Sequence, residues 1–187
     1  VSIAHGDAVG GGENVLRTAA TERNHRMLKA FASDGDGLSP TSDPTQAVWI
    51  DLVDPTPDEV ATAAKMTGFA VPTKAGVSEI EASSRLKSRD GVLYLSMPLI
   101  HRADDGPRAA QTGFVLSPDY LLTVRFAPSP VFDGFAMPMA NPTGAHVLVG
   151  LLEAIVDRQA DALEQVAHEL DAISHRTFQM GVKQKGG

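Results

Sequence analysis

The chain has 187 residues, 43% of them hydrophobic, with a net charge of −7 and no cysteine. That length suits one domain or one and a half, and the apolar share excludes wholesale disorder. The acidic balance argues against nucleic acid as the main partner, and the missing thiols exclude disulfides, thiol catalysis and thiolate metal sites.

Residues 1–26 are rich in glycine and polar residues and lack the continuous apolar stretch of a secretory signal, so they read as an extension before Met27. MLKAFA (27–32) reads as a strand and the SDGDG after it as a turn or loop. An EF-hand loop starting at Asp34 would need Glu at its twelfth position, where Thr45 stands, so calcium is rejected there. PTSDPTQ (40–46) reads as a linker, and VWIDLV (48–53) as a buried strand with Trp49 in the core.

The strongest local signal follows in DPTPDEVATAAKMTG. Thr56 is placed as N-cap, Pro57 at the first helical position and Glu59 at the third, a capping box, with Gly68 closing the helix. Val60, Ala63, Ala64 and Thr67 form its small-residue packing face. A second helix is expected over about 73–82. RLKSR (85–89) and GVLYLSMPLI (91–100) flank an Asp90-Gly91 hairpin turn, and QTGFVLS (111–117) and YLLTVRF (120–126) flank a Pro118-Asp119 turn. These pairs predict a mostly antiparallel meander, and PSPVFDGFAMPM (128–139) a short helix or compact loop. Helices on both sides of such a sheet predict an α/β fold in three layers, α/β/α, built on a mixed, largely antiparallel sheet.

From Ala145 to Phe178, Leu148, Leu152, Ile155, Leu163, Val166, Leu170 and Ile173 recur at three- and four-residue steps. The spacing predicts one long C-terminal helix, about 50 Å at 1.5 Å per residue, too long for a small domain to bury. No run reaches the roughly 20 apolar residues that span a bilayer; AHVLVGLLEAIV (145–156) comes nearest and Glu153 interrupts it, so the chain as given is expected to be soluble.

HELDAISH (168–175) looks at first like a zinc-protease helix, but Ala172 stands where the second histidine would be. A different pattern holds instead. Glu153, Asp157, Asp161, Glu164, His168, Asp171 and His175 follow three- and four-residue steps and stack on one helix face. Such a face is either simply solvated or a loose trap for Mg2+, which keeps several waters and touches one or two carboxylates. No nucleophile elbow, phosphate loop or dinucleotide fingerprint follows a strand.

WIDLVDPTPDEV, EIEASSRLKSRDGVLYLSMPL, GFVLSPDYLLTVRF and VLVGLLEAIVDRQADALEQVAHELDAISHRTF, in this order over residues 27–178, resemble the CorA family of divalent-cation transporters. The resemblance implies a homopentamer of the inner membrane, with a large cytoplasmic α/β/α domain, acidic helices, a stalk helix, and two membrane helices with a Gly-Met-Asn pore motif. The stalk, membrane helices and pore motif are not in these residues; FAMPMANP carries Met-Ala-Asn and precedes the long helix. The implied part is therefore the cytoplasmic domain at residues 27–140 and a long acidic helix at 141–187, regulatory rather than enzymatic.

In the family one acid of a metal sensor lies just before an R-x-K segment. Ahead of Arg85 and Lys87, Ser78 or Glu79 stands where an aspartate is expected. The metal-contacting candidates are thus Glu79, Glu153, Asp157, Asp161 and Glu164. The implied ion is Mg2+, with Co2+, Ni2+ and Zn2+ left open; the implied partners are further copies of the chain and, through helices outside these residues, a membrane. Two other readings stay open: a metal-dependent hydrolase using the carboxylate and histidine stripe, and a soluble helical assembly module.

Overall fold

The computed structural model describes residues 27–78, 85–103 and 106–184. They run β1 (Met27–Ser33), β2 (Leu38–Pro40), β3 (Ala47–Val53), α1 (Pro57–Thr67), α2 (Lys74–Ser78), β4 (Leu86–Arg89), β5 (Val92–Ala103), β6 (Gly106–Leu116), β7 (Leu121–Arg125), α3 (Pro130–Asp133) and α4 (Gly144–Gln184). The seven strands make one sheet in the order β2-β1-β3-β7-β6-β5-β4. Every pair is antiparallel except β3 and β7, which run parallel with Trp49 opposite Leu121. Those two strands lie mid-sheet and are buried along nearly their whole length, as continuous apolar runs require. At the tip of the β4–β5 hairpin Asp90 and Gly91 both take positive φ, 52° and 78°, the twist a two-residue hairpin loop needs.

Strand alternation divides the core in two. One face packs Leu52, Val92, Val115 and Val124 against Ala63 of α1. The other packs Trp49, Phe114 and Leu121 against Phe132 of α3 and Leu151 and Ile155 of α4. Each such side chain taken fully out of water contributes about 1.5–3 kcal/mol. Trp49 stacks on Phe31 at 4.6 Å between centroids and meets Phe135 edge-on at 5.6 Å. The mixed α/β/α sandwich with a long final helix is as expected.

Local chemistry explains the element ends. The Thr56 hydroxyl accepts the Glu59 N–H at 3.3 Å while Glu59 Oε2 accepts the Thr56 N–H at 2.8 Å. Gly68 then ends α1 at φ 71°. In the turn after β1, Asp34 Oδ1 accepts the N–H groups of Asp36 and Gly37 at 3.1 and 2.8 Å, and its other oxygen takes the Ser39 hydroxyl. The Ser39 hydroxyl first, then those two amides, hold the Asp34 carboxyl below its usual range.

Two expectations need amendment. The stretch at 40–46 is no loose linker: the Thr41 N–H bonds to the Ala30 carbonyl at 2.8 Å, and Asp43 caps a short 3-10 turn over Pro44–Gln46. The short strand β2 was also not foreseen. Of the helix expected over 73–82, Lys74–Ser78 is helical and residues 79–84 lie outside the described ones, as do residues 1–26.

α4 is one helix of 41 residues, about 60 Å long. Its start is pinned by close approach: a Cβ on Gly144 would lie 2.5 Å from the Leu121 nitrogen and 2.6 Å from the Tyr120 carbonyl carbon. Val147, Leu148, Leu151 and Ile155 are buried on the sheet. From Ala160 to Arg176 every residue is exposed, so this stretch stands clear of the described fold.

Candidate functional site

α4 carries the predicted site residues outward from the sandwich. The Thr143 carbonyl accepts the Val147 N–H at 3.0 Å and its hydroxyl accepts the His146 N–H at 3.4 Å, which sets the helix start. Burial of Leu151 and Ile155 then fixes the rotation of the helix. Glu153, Asp157 and Asp161 fall on the lip of a cleft of about 800 Å³ between α4 and the segment after α3. The facing wall is apolar, formed by Phe135, Met137 and Met139. Glu164 lies beyond the cleft on the exposed stretch, and Glu79 is outside the described residues.

All four α4 carboxylates are exposed, and none makes an ion pair among the described residues. Neighbouring acids are about one turn apart, near 6 Å along the axis. Among the described residues no three acidic or histidine side chains converge on a point that would hold a bare ion. His168 and His175 are likewise exposed. This spacing fits a hydrated ion that touches one or two carboxylates, and does not fit a tetrahedral cage.

Sequence reasoning missed a second charged assembly, in the core beneath α3. Asp51 and Arg125 have only 1% of their surfaces exposed. Arg125 Nη2 donates to Asp51 Oδ2 at 2.9 Å and to Asp133 Oδ1 at 2.7 Å, and its Nε donates to Asp51 Oδ2 at 3.2 Å. The Thr123 hydroxyl donates to Asp51 Oδ1 at 2.7 Å and accepts Trp49 Nε1–H at 3.0 Å. Lys29 reaches Asp133 at 3.4 Å, and the Arg125 guanidinium lies 5.0 Å from the centre of the Phe132 ring. Burial alone would raise the Asp133 carboxyl, but the hydrogen bond and charge of Arg125, then Lys29, hold it below its usual value. The network ties α3, and so the apolar wall of the cleft, to the centre of the sheet. Its signal in the sequence was a lone aspartate inside VWIDLV and a lone arginine next to last in LLTVRF.

The described residues form a three-layer sandwich from which a carboxylate-lined helix projects. The family model described as "CorA-like Mg2+ transporter protein" matches residues 44–186, and the chain belongs to that family, a family of transporters and not of enzymes. It is 28% identical over 159 residues to the magnesium transport protein CorA of Pectobacterium atrosepticum, a match covering 79% of this chain and 50% of that protein. The chain thus spans about half the length of the curated relatives it matches. The fold is similar to the soluble domain of CorA from Methanocaldococcus jannaschii, with a TM-score of 0.62 at 13% identity over 80% of this chain and 64% of that one. It also resembles the ZntB cytoplasmic domain of Vibrio parahaemolyticus RIMD 2210633, with a TM-score of 0.51 at 16% identity over 77% of this chain and 64% of that one. No helix among the described residues is long and apolar enough to cross a membrane.

Proposed function

We propose that this chain is the cytoplasmic, metal-responsive part of a divalent-cation transporter of the inner membrane, and that Glu153, Asp157, Asp161 and Glu164 attract Mg2+ along α4. The observation that carries the reading is the row of exposed carboxylates, without ion pairs among the described residues, on a helix that leaves the fold. Like charges one turn apart destabilise a helix by a few tenths of a kcal/mol per pair. A divalent cation beside the row removes that repulsion, so metal and helix stabilise each other. Mg2+ gives up its waters reluctantly, which suits an open row better than a closed cage. Glu79 is proposed as a further contact. The same carboxylates accept hydrated Co2+, Ni2+ and Zn2+, and a panel of the four ions ranks them.

Assembly belongs to the same proposal. Val149, Val156, Leu163 and Leu170 recur every seven residues, with Val166 and Ile173 three residues after Leu163 and Leu170, and each is more than half exposed. That is the seam of a coiled coil. In the whole transporter we place five copies together, joined to membrane helices outside this chain. Metal at the contacts favours the closed assembly and its loss favours a looser one, a shift between two populations.

Thermal melting at constant ionic strength tests the metal half. At ten times its dissociation constant a ligand adds about 1.4 kcal/mol, which for a chain of this size raises Tm by about 3–6 °C. Mg2+ is expected to give that rise in the wild type and little of it in Asp157→Asn/Asp161→Asn. An equal rise in both proteins would remove the α4 carboxylates from the mechanism.

A further inference from the structure

The opposite face of the sheet holds a cavity that the metal row does not use. It measures about 260 Å³ and lies between α2, the edge strand β4 and its neighbour β5. Val71, Pro72 and Val77 supply an apolar wall. The strand register supplies the rest. Lys87 is paired with Tyr94, and Ser96 with Gly113, so these four positions share one face of the sheet. Arg85, two residues before Lys87 and also lining the cavity, continues that face; its carbonyl accepts the Ser96 N–H at 2.9 Å. Gly113 keeps the floor open: a Cβ there would come within 3.0 Å of Val124 Cγ1 and 3.4 Å of Pro72.

Three polar residues line this apolar space. Ser96 is 4% exposed and lines the cavity. A hydroxyl on the wall of an apolar hollow is placed to bond a ligand oxygen. Arg85 is half-buried and Lys87 exposed at the rim, and neither makes an ion pair among the described residues. Two cations beside an apolar hollow, in a chain of net charge −7, form a local field opposite in sign to the whole.

From this combination we infer a binding site for a small amphiphilic monoanion, with an apolar body in the hollow and a carboxylate-like head between Arg85, Lys87 and the Ser96 hydroxyl. A water molecule takes about 30 Å³, so the hollow has room for about nine groups of that size, a short chain or a single ring. A diacyl lipid is too large. The site stands independently of the metal row, because it uses no α4 residue.

Octanoate is the probe, titrated into the isotope-labelled full chain and followed by amide NMR. Saturable shifts are expected at Val77, Tyr94, Ser96 and Gly113, with a dissociation constant of about 1 mM, the range a ligand of roughly ten atoms reaches. Octan-1-ol is expected to bind at least tenfold more weakly. Arg85→Gln/Lys87→Gln, a change at the cavity rim, is expected to weaken octanoate by a similar factor without moving Tm. Absence of saturable shifts at these amides, equal binding of acid and alcohol, or unchanged octanoate affinity in the double variant would each overturn the assignment.

Discussion

Asp51→Leu tests whether the buried charge network holds α3 to the sheet. In the wild type Arg125 has two acidic partners, and only Asp51 is as deeply buried as Arg125 itself. Asp133 is 45% exposed, so water weakens its pull on the guanidinium. Arg125 Nη1 is already buried without a partner, leaving no spare contact to take up the loss. Removing Asp51 therefore strands a charged group in the core, at a cost of about 3–5 kcal/mol. For a chain of this length that lowers Tm by about 6–20 °C. Arg125→Met alone strands the Asp51 carboxylate instead, with the Thr123 hydroxyl as its remaining partner, and is expected to cost a similar amount. Replacing both by apolar residues removes both stranded charges, and the double variant is expected to recover most of the loss. Urea unfolding followed by Trp49 fluorescence is a suitable assay, because Trp49 is the only tryptophan and bonds into the same network. A loss below about 1 kcal/mol for Asp51→Leu, or single effects that simply add in the double variant, would refute this reasoning.

Three further outcomes follow from other parts of the fold. The Asp133 carboxyl is held below its usual value in the folded state, so its contribution is present above the unfolded pKa and fades as pH falls through the folded one; between about pH 5 and pH 2 urea stability of the wild type should fall more steeply than that of Asp133→Asn. Gly144→Ala places a methyl against the backbone of Tyr120 and Leu121; overpacking of about 1–3 kcal/mol outweighs the gain of up to about 1 kcal/mol in helix propensity, and a rise in Tm would contradict the close approach. Leu163→Glu/Leu170→Glu puts like charges on the exposed heptad seam, and sedimentation velocity is expected to show a shift toward monomer with Tm within a few degrees of the wild type; unchanged association would place assembly elsewhere.

What the sequence disclosed and what it hid separate along one physical line. The α1 cap was legible because Thr56, Pro57, Glu59 and Gly68 act within a few residues of one another. The Asp90-Gly91 hairpin and the long helix were legible for the same reason, since turn chemistry and helical periodicity are local. The Asp51–Arg125 pair was not, because its members are 74 residues apart and meet only once β3 and β7 align in parallel. The row of acids on α4 could be read from its spacing, yet nothing in PSPVFDGFAMPM told that Phe135 and Met137 would face it across a cleft. The hollow beside β4 and β5 escaped notice too, since an apolar cavity depends on the volume left between elements, and RLKSR read only as a hairpin arm.

The carboxylate row is tested most directly with Mn2+, a paramagnetic ion that shares the oxygen-ligand preference of Mg2+. In amide NMR of the full chain, trace Mn2+ is expected to broaden signals around Glu153, Asp157, Asp161 and Glu164 first, and excess Mg2+ to restore them. Broadening centred on another part of the molecule, or no recovery with Mg2+, would contradict the placement of metal on α4.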